Sequence, residues 1–182
     1  MRRFLILIVF FFHTEAFSQE YLTKDGEVVF LSKAPLNEFE GRSNSLNGLV
    51  NLESNLLDFF VDLNTLKTGI GLRDRHMREN YLETDQFPFA EFTGKMSPMP
   101  TLVLGSKTAV NAQGKFKIHG VEREIEVTGF LTLLQNGKVE LHASFEVLLS
   151  DYEIPLPKLV FYELAEAQTV TIQAILSQKK FP

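Results

Sequence analysis

Strict two-residue alternation constrains this chain more than anything else in it. Val139, Leu141, Ala143, Phe145, Val147 and Leu149 alternate with Glu140, His142, Ser144 and Glu146. Successive side chains of a β-strand point to opposite faces, so the stretch predicts a long strand with one apolar and one polar face. Ile125, Val127, Leu131 and Leu133 repeat the pattern upstream, interrupted at Gly129, where a bulge or sharp bend is expected. Between the two runs lies Gln135-Asn136-Gly137-Lys138. Asn-Gly tolerates the positive φ of a type I′ turn, which makes the pair a β-hairpin.

Further strands are expected at 28–32, 46–52, 56–63, 89–95, 108–118 and 169–176, with His119-Gly120 turning one long strand into the next. Eight strands, several of them ten residues or longer, suit a closed antiparallel barrel better than a sandwich of short ones. Residues 71–84 break the pattern. Met77, Tyr81 and Leu82 fall at helical spacing and predict one short helix near residues 72–83, ended by Phe87-Pro88. No repeat or low-complexity linker divides the chain, so one all-β domain is expected over 19–182.

Residues 1–18 read as a cleavable signal peptide. Arg2 and Arg3 precede an unbroken apolar run from Phe4 to Phe12, and Ala16 and Ser18 occupy the −3 and −1 positions before Gln19. That run is shorter than the roughly 20 residues a membrane-spanning helix needs. An anchor helix that stays attached is the competing reading. A periplasmic or secreted protein is therefore expected, soluble after cleavage and in transient contact with membranes. The chain has no cysteine, which excludes disulfides, a lipid-bearing cysteine, thiolate metal ligands and a thiol nucleophile. A formal net charge of −5 argues against a nucleic-acid partner, because there is no basic surplus to neutralise phosphates.

Four pieces in order make the sequence resemble the YceI family of exported lipocalin-like barrels. They are Thr68-Gly69-Ile70-Gly71-Leu72-Arg73-Asp74-Arg75-His76-Met77, then Phe87-Pro88-Phe89-Ala90-Glu91-Phe92, then 114–124 with Gly114, Ile118-His119-Gly120 and Arg123, and finally Leu149-Ser150-Asp151-Tyr152-Glu153-Ile154. The N-terminal part departs from the family, lacking its tryptophan-containing strand and the histidine before the second strand. The resemblance implies an extended eight-stranded antiparallel lipocalin-like β-barrel whose apolar cavity holds a polyisoprenoid, an isoprenoid quinone or another lipid, for transport or storage. A homodimer is compatible with such a barrel, though no residue demands it.

Phenylalanines are spread over nearly every strand, and Phe59, Phe92, Phe116, Phe130 and Phe145 are the candidates for an apolar lining. A barrel packed solid by these rings, acting as an interaction module, is the alternative. Arg73, Asp74 and His76 form the sharpest polar cluster. Arg73 is suited to a phosphate or quinone oxygen of a head group; the bland alternative has Asp74 capping the helix and Arg73 anchoring it. Asp151 and Tyr152 are either ligand-facing or turn-forming, and residues 155–166 are either a flap at the mouth or a packed loop. No HExxH, GxSxG, P-loop or GxGxxG pattern occurs. No enzyme, no metal site and no cofactor is expected, with a barrel enzyme acting on a lipid as the minor alternative.

Overall fold

The computed structural model describes residues 19–156 and 164–179. Eight strands run in chain order around a closed barrel: β1 (Glu20–Ala34), β2 (Asn37–Asn51), β3 (Leu56–Asp62), β4 (Phe89–Met96), β5 (Lys107–Ile118), β6 (Val121–Leu133), β7 (Val139–Leu148) and β8 (Ala167–Gln178). Every neighbouring pair is antiparallel, and β8 returns to pair with β1. A 3₁₀ turn at Leu63–Thr65 and a helix, α1 (Gly71–His76), fill the β3–β4 connection. The helix continues as a π-helical stretch over Met77–Tyr81. A second 3₁₀ turn, Leu149–Tyr152, follows β7.

The alternation predicted for β6 and β7 is present, with Val127, Leu131, Val139, Leu141, Ala143 and Val147 buried. Two local expectations need correction. Register runs unbroken through Gly129, which pairs with Val110 on one side and Ala143 on the other. A Cβ there would meet the His142 carbonyl at 2.6 Å, so this glycine permits close strand approach instead of forming a bulge. The irregularity lies in β1, where pairing with β2 shifts on both sides of Gly26. In the β6–β7 loop only Gly137 has positive φ; His119 and Gly120, at 54° and 76°, make the turn with two positive-φ residues instead.

β1 and β2 are each fifteen residues long, far longer than the apolar runs 28–32 and 46–52 suggest. Stretches such as Lys24-Asp25-Gly26-Glu27 have little intrinsic strand preference. The flanking residues carry them along as extended chain: β1 pairs with β2 and β8 on either side of this stretch, while within it only Gly26 pairs with β2, at Leu46, and Glu27 with β8, at Gln173.

Chain direction sorts the connections onto two poles. The β1–β2 hairpin, the helical β3–β4 connection, the His119-Gly120 turn and the 3₁₀ turn after β7 share one pole. The other pole carries the β2–β3, β4–β5 and β6–β7 loops. There Val139 and Leu176 pair across β7 and β8, both almost fully buried, and plug the barrel.

Gly94 of β4 and Gly114 of β5 face each other in register. A Cβ on Gly114 would lie 2.3 Å from the Thr93 carbonyl oxygen, whereas one on Gly71 would meet nothing within 4 Å. Gly114→Ala is therefore expected to cost about 1–3 kcal/mol, the usual range for overpacking, and Gly71→Ala to change stability by less than about 0.5 kcal/mol. Chemical denaturation of the two variants checks this pair of outcomes.

Candidate functional site

The barrel encloses a cavity of about 800 Å³, large enough for a sizeable small-molecule ligand. The filled-barrel alternative therefore does not hold. The space follows from the pairing of large inward side chains with small ones. Gly48 faces Phe59, and Gly41 faces Phe30; a Cβ at either glycine would come within 2.2 Å of the opposing ring. Each ring thus lies across its glycine, against the wall. Ala90, Ala112, Gly129 and Ala143 add further small residues to the lining.

Strand register sets an aromatic row on the wall. Phe59 of β3 pairs with Phe92 of β4, and Phe92 with Phe116 of β5. Phe145 of β7 meets Phe116 edge-on at 5.5 Å. Four of the five phenylalanines expected to line a cavity do so. Phe130 does not, and the reason is parity. Its neighbours Gly129 and Leu131 face the cavity, so Phe130 points outward, where it is 38 % exposed and carries the Lys107 ammonium 3.9 Å above its ring.

Polar lining is sparse and gathers on the side of the helical connection. Arg73 and His76 of α1 reach the cavity, joined by Asn80 and Tyr81 of the π-helical stretch, Asn37 of β2, Glu91 of β4 and Gln168 of β8. Sequence reading missed these last five. Asn80 was within reach, because it lies one helical turn after His76 and shares its face; the others depend on barrel closure. Gln168 is buried, with its amide nitrogen on Ser32 Oγ and the Ala165 carbonyl.

Arg73 is held from two sides. Its Nε donates to Thr68 Oγ1 at 2.9 Å and Nη2 to the Thr68 carbonyl at 3.2 Å, while the guanidinium lies 4.1 Å above the Phe39 ring. The Thr68 hydroxyl donates a hydrogen bond to Asp74 Oδ1 at 2.5 Å, and the Thr68 backbone N–H donates to the same oxygen at 2.7 Å. Asp74 is therefore buried structure and lies off the cavity wall. Nor does it cap the helix, whose N-cap is Ile70, with no side-chain hydrogen bond. Burial on its own raises the Asp74 carboxyl, but the two Thr68 hydrogen bonds, with Lys67 and Arg78 nearby, hold it below its ordinary value.

The Asp151–Tyr152 pair is also not on the cavity wall. Asp151 is exposed. Tyr152 is buried edge-on against Phe116 at 5.5 Å, and burial, with Asp151 beside it, raises its phenol above the usual value. Its carbonyl meets His119 Nδ1 at 3.1 Å, and His119 Nε2 meets a Glu83 carboxylate oxygen at 2.9 Å. That imidazole ties the β5–β6 turn to the end of the helical connection and to the 3₁₀ turn. The flap-or-loop question concerns residues 155–166, most of which lie outside the described residues. Among the described residues no cluster of His, Asp or Glu has the arrangement of a metal site.

The family model for the YceI-like domain matches residues 22–176. Among solved structures, a polyisoprenoid binding domain from Saccharophagus degradans, implicated in plant cell wall breakdown, superposes with a TM-score of 0.77 at 18 % identity, covering 89 % of this chain and 99 % of that one. BcnA of Burkholderia cenocepacia gives 0.71 at 14 % identity, over 84 % and 96 %. The YCEI protein of Campylobacter jejuni gives 0.62 at 15 % identity, over 82 % and 90 %. No curated protein sequence matches.

Asp74→Ala removes an acceptor from two donors on Thr68, and a loss of about 1–3 kcal/mol is expected at neutral pH. Because the folded carboxyl titrates below its unfolded value, its contribution is complete above about pH 4 and fades as pH falls through the folded value. The stability gap between wild type and Asp74→Ala should thus narrow below about pH 4, as urea titrations at pH 7 and pH 3 would reveal.

Proposed function

Because the chain belongs to the YceI-like domain family, we propose that it is an exported, non-catalytic carrier of one long apolar molecule, a polyisoprenoid or a lipid of similar shape. The observation that carries this reading is the cavity itself, about 800 Å³, walled by aliphatic and aromatic side chains with its few polar groups on one side. Such a space favours a chain with a small polar end. Each buried CH₂ contributes about 0.8 kcal/mol, so roughly ten buried carbons offset much of the several kcal/mol lost when a ligand is immobilised. Arg73, His76 and Asn80 stand where a head group would rest, and the contacts to Thr68 and Phe39 fix the guanidinium before any ligand arrives.

Binding without catalysis is supported by the character of the lining. Among the described residues the acidic and basic side chains of the lining are Arg73, His76 and Glu91, and the Glu91 carboxylate lies 3.5 Å from the Lys117 ammonium, outside on the neighbouring strand. We place the carrier outside the cytoplasmic membrane, in the periplasm or the surroundings of the cell. Arg2-Arg3 followed by the apolar run to Phe12, and an Ala-x-Ser before Gln19, support that placement.

Native mass spectrometry of protein taken from its export compartment tests the reading. One apolar molecule per barrel, released by organic solvent, and an N-terminus at Gln19 are the expected results. Substituting Ala143→Phe, which puts a ring into the cavity, should abolish that occupancy. A barrel that is empty as isolated and takes up neither polyprenols nor isoprenoid quinones on addition would refute carriage.

A further inference from the structure

We infer that the lumen opens sideways, through a seam between β6 and β7 that the 3₁₀ turn after β7 covers and His119 latches. The inference rests on the carrier reading and gives its ligand a route. β6 pairs with β7 only from Leu133 with Val139 to Thr128 with Ser144. Past that point both strands continue: β6 stays on β5 as far as Val121, and β7 stays on β8 as far as Leu148. Among the described residues the two facing edges, 121–127 and 145–148, are not paired with each other.

Side chains explain why the pairing stops. Gly129 lets the strands approach closely beside its partner Ala143. Two residues past the last pair, the same register would set Glu126 directly opposite Glu146, both of them exposed. Like charges facing each other across a strand pair destabilise it. Exposure marks the result. Arg123 lies opposite Phe116 and so on the same face of the sheet, yet Arg123 is exposed while Phe116 is buried. Solvent thus reaches the inward face of β6 beside the seam. β2 and β3 also part early, pairing only over residues 47–51, but there the helical connection spans the gap, with Arg42 and Lys67 exchanging backbone hydrogen bonds of 2.8 Å.

Both lips of the seam belong to the lumen, since Val127 of β6 and Phe145 and Val147 of β7 line the cavity. Aromatic rings fill the space between them: Phe145 from inside and Tyr152 from the cover each meet Phe116 edge-on at 5.5 Å. The cover, residues 149–154, buries Leu149, Tyr152 and Ile154. It is bonded to the start of β8, where the Leu149 N–H donates to the Glu166 carbonyl at 2.9 Å and Ser150 Oγ donates to the Glu166 carboxylate at 2.8 Å. On the β5–β6 side its one hydrogen bond among the described residues joins the Tyr152 carbonyl to His119 Nδ1 at 3.1 Å. One side is a hinge and the other a latch, and Glu83 on Nε2 aims the imidazole.

Exchange kinetics of Nile red, an apolar dye, test the proposal, because a gate changes entry and exit together and leaves Kd alone. His119→Asn suits the turn, since asparagine accepts the positive φ of 54° there, but its side chain is too short to reach Tyr152. It should speed entry and release alike by roughly fivefold, the factor that one ordinary hydrogen bond amounts to. Glu146→Lys, which removes the like charge opposite Glu126, should slow both by roughly threefold. The chain has no cysteine, so Glu126→Cys with Glu146→Cys can be bridged selectively by a short bis-thiosulfonate. Bridging should halt exchange and reduction should restore it. The bridge leaves the latch untouched and decides the case independently of His119.

Bridged protein that exchanges dye as fast as its reduced form would overturn the proposal. So would His119→Asn with a shifted Kd and wild-type release. Amide hydrogen exchange in ligand-free protein keeps gate and carriage apart. The Glu153 and Ile154 amides, which bond back to Ser150 and Leu149, should exchange faster in His119→Asn while β5 and β6 keep their protection. Wild type that binds neither Nile red nor a polyprenol would sink carriage, whereas unchanged protection of those two amides would sink the gate.

Discussion

Pairing of β8 with β1 is the constraint to which the rest of the molecule answers, since it closes the sheet and leaves no free edge. Once eight strands close, the diameter is fixed within narrow limits, and such a barrel is either filled by its own side chains or left with room for one ligand. The long β1–β2 hairpin, paired from Ala34↔Asn37 to Glu20↔Asn51, extends both strands through residues that would not form strands alone, β2 pairing with β3 only over residues 47–51.

The choice between a filled and an open interior is made by small residues. Rings from Phe30 and Phe59 lie across Gly41 and Gly48 on the neighbouring strand, and Ala90, Ala112, Gly129 and Ala143 leave their shares of the wall thin. Val139 and Leu176 seal one pole. At the other, the helical connection adds Arg73, His76 and Asn80 to the few polar groups at the strand ends, with Arg73 held by Thr68, and Thr68 in turn held by Asp74. A lumen that is apolar along the strands and polar beside the helix is the arrangement an amphiphile with one polar end requires.

Much of this was legible in the sequence. Alternation located all eight strands, and helical spacing of Met77, Tyr81 and Leu82 located the one helical segment. The errors share a physical origin in which face a residue occupies and what stands opposite it. The periodicity that places Leu131 inside already places Phe130 outside, so counting rings without regard to parity misassigned that residue. Gly129 breaks an apolar pattern but not the register, because the meaning of a glycine in a strand depends on the neighbour that approaches it. The polar cluster divided for the same reason. Arg73 and His76 face the cavity, while Asp74 turns back to Thr68, and Tyr152, though adjacent to a recognisable motif, is packed behind Phe116.

Stoichiometric binding of an environment-sensitive apolar dye to solvent-stripped, refolded protein tests the open lumen most directly. One dye per barrel, with blue-shifted emission, displaced by a polyprenol and excluded by Ala143→Phe, is the result the structure requires. No dye uptake by protein whose circular dichroism shows an intact barrel would mean that the interior is not open to an apolar ligand, contradicting the account at its centre.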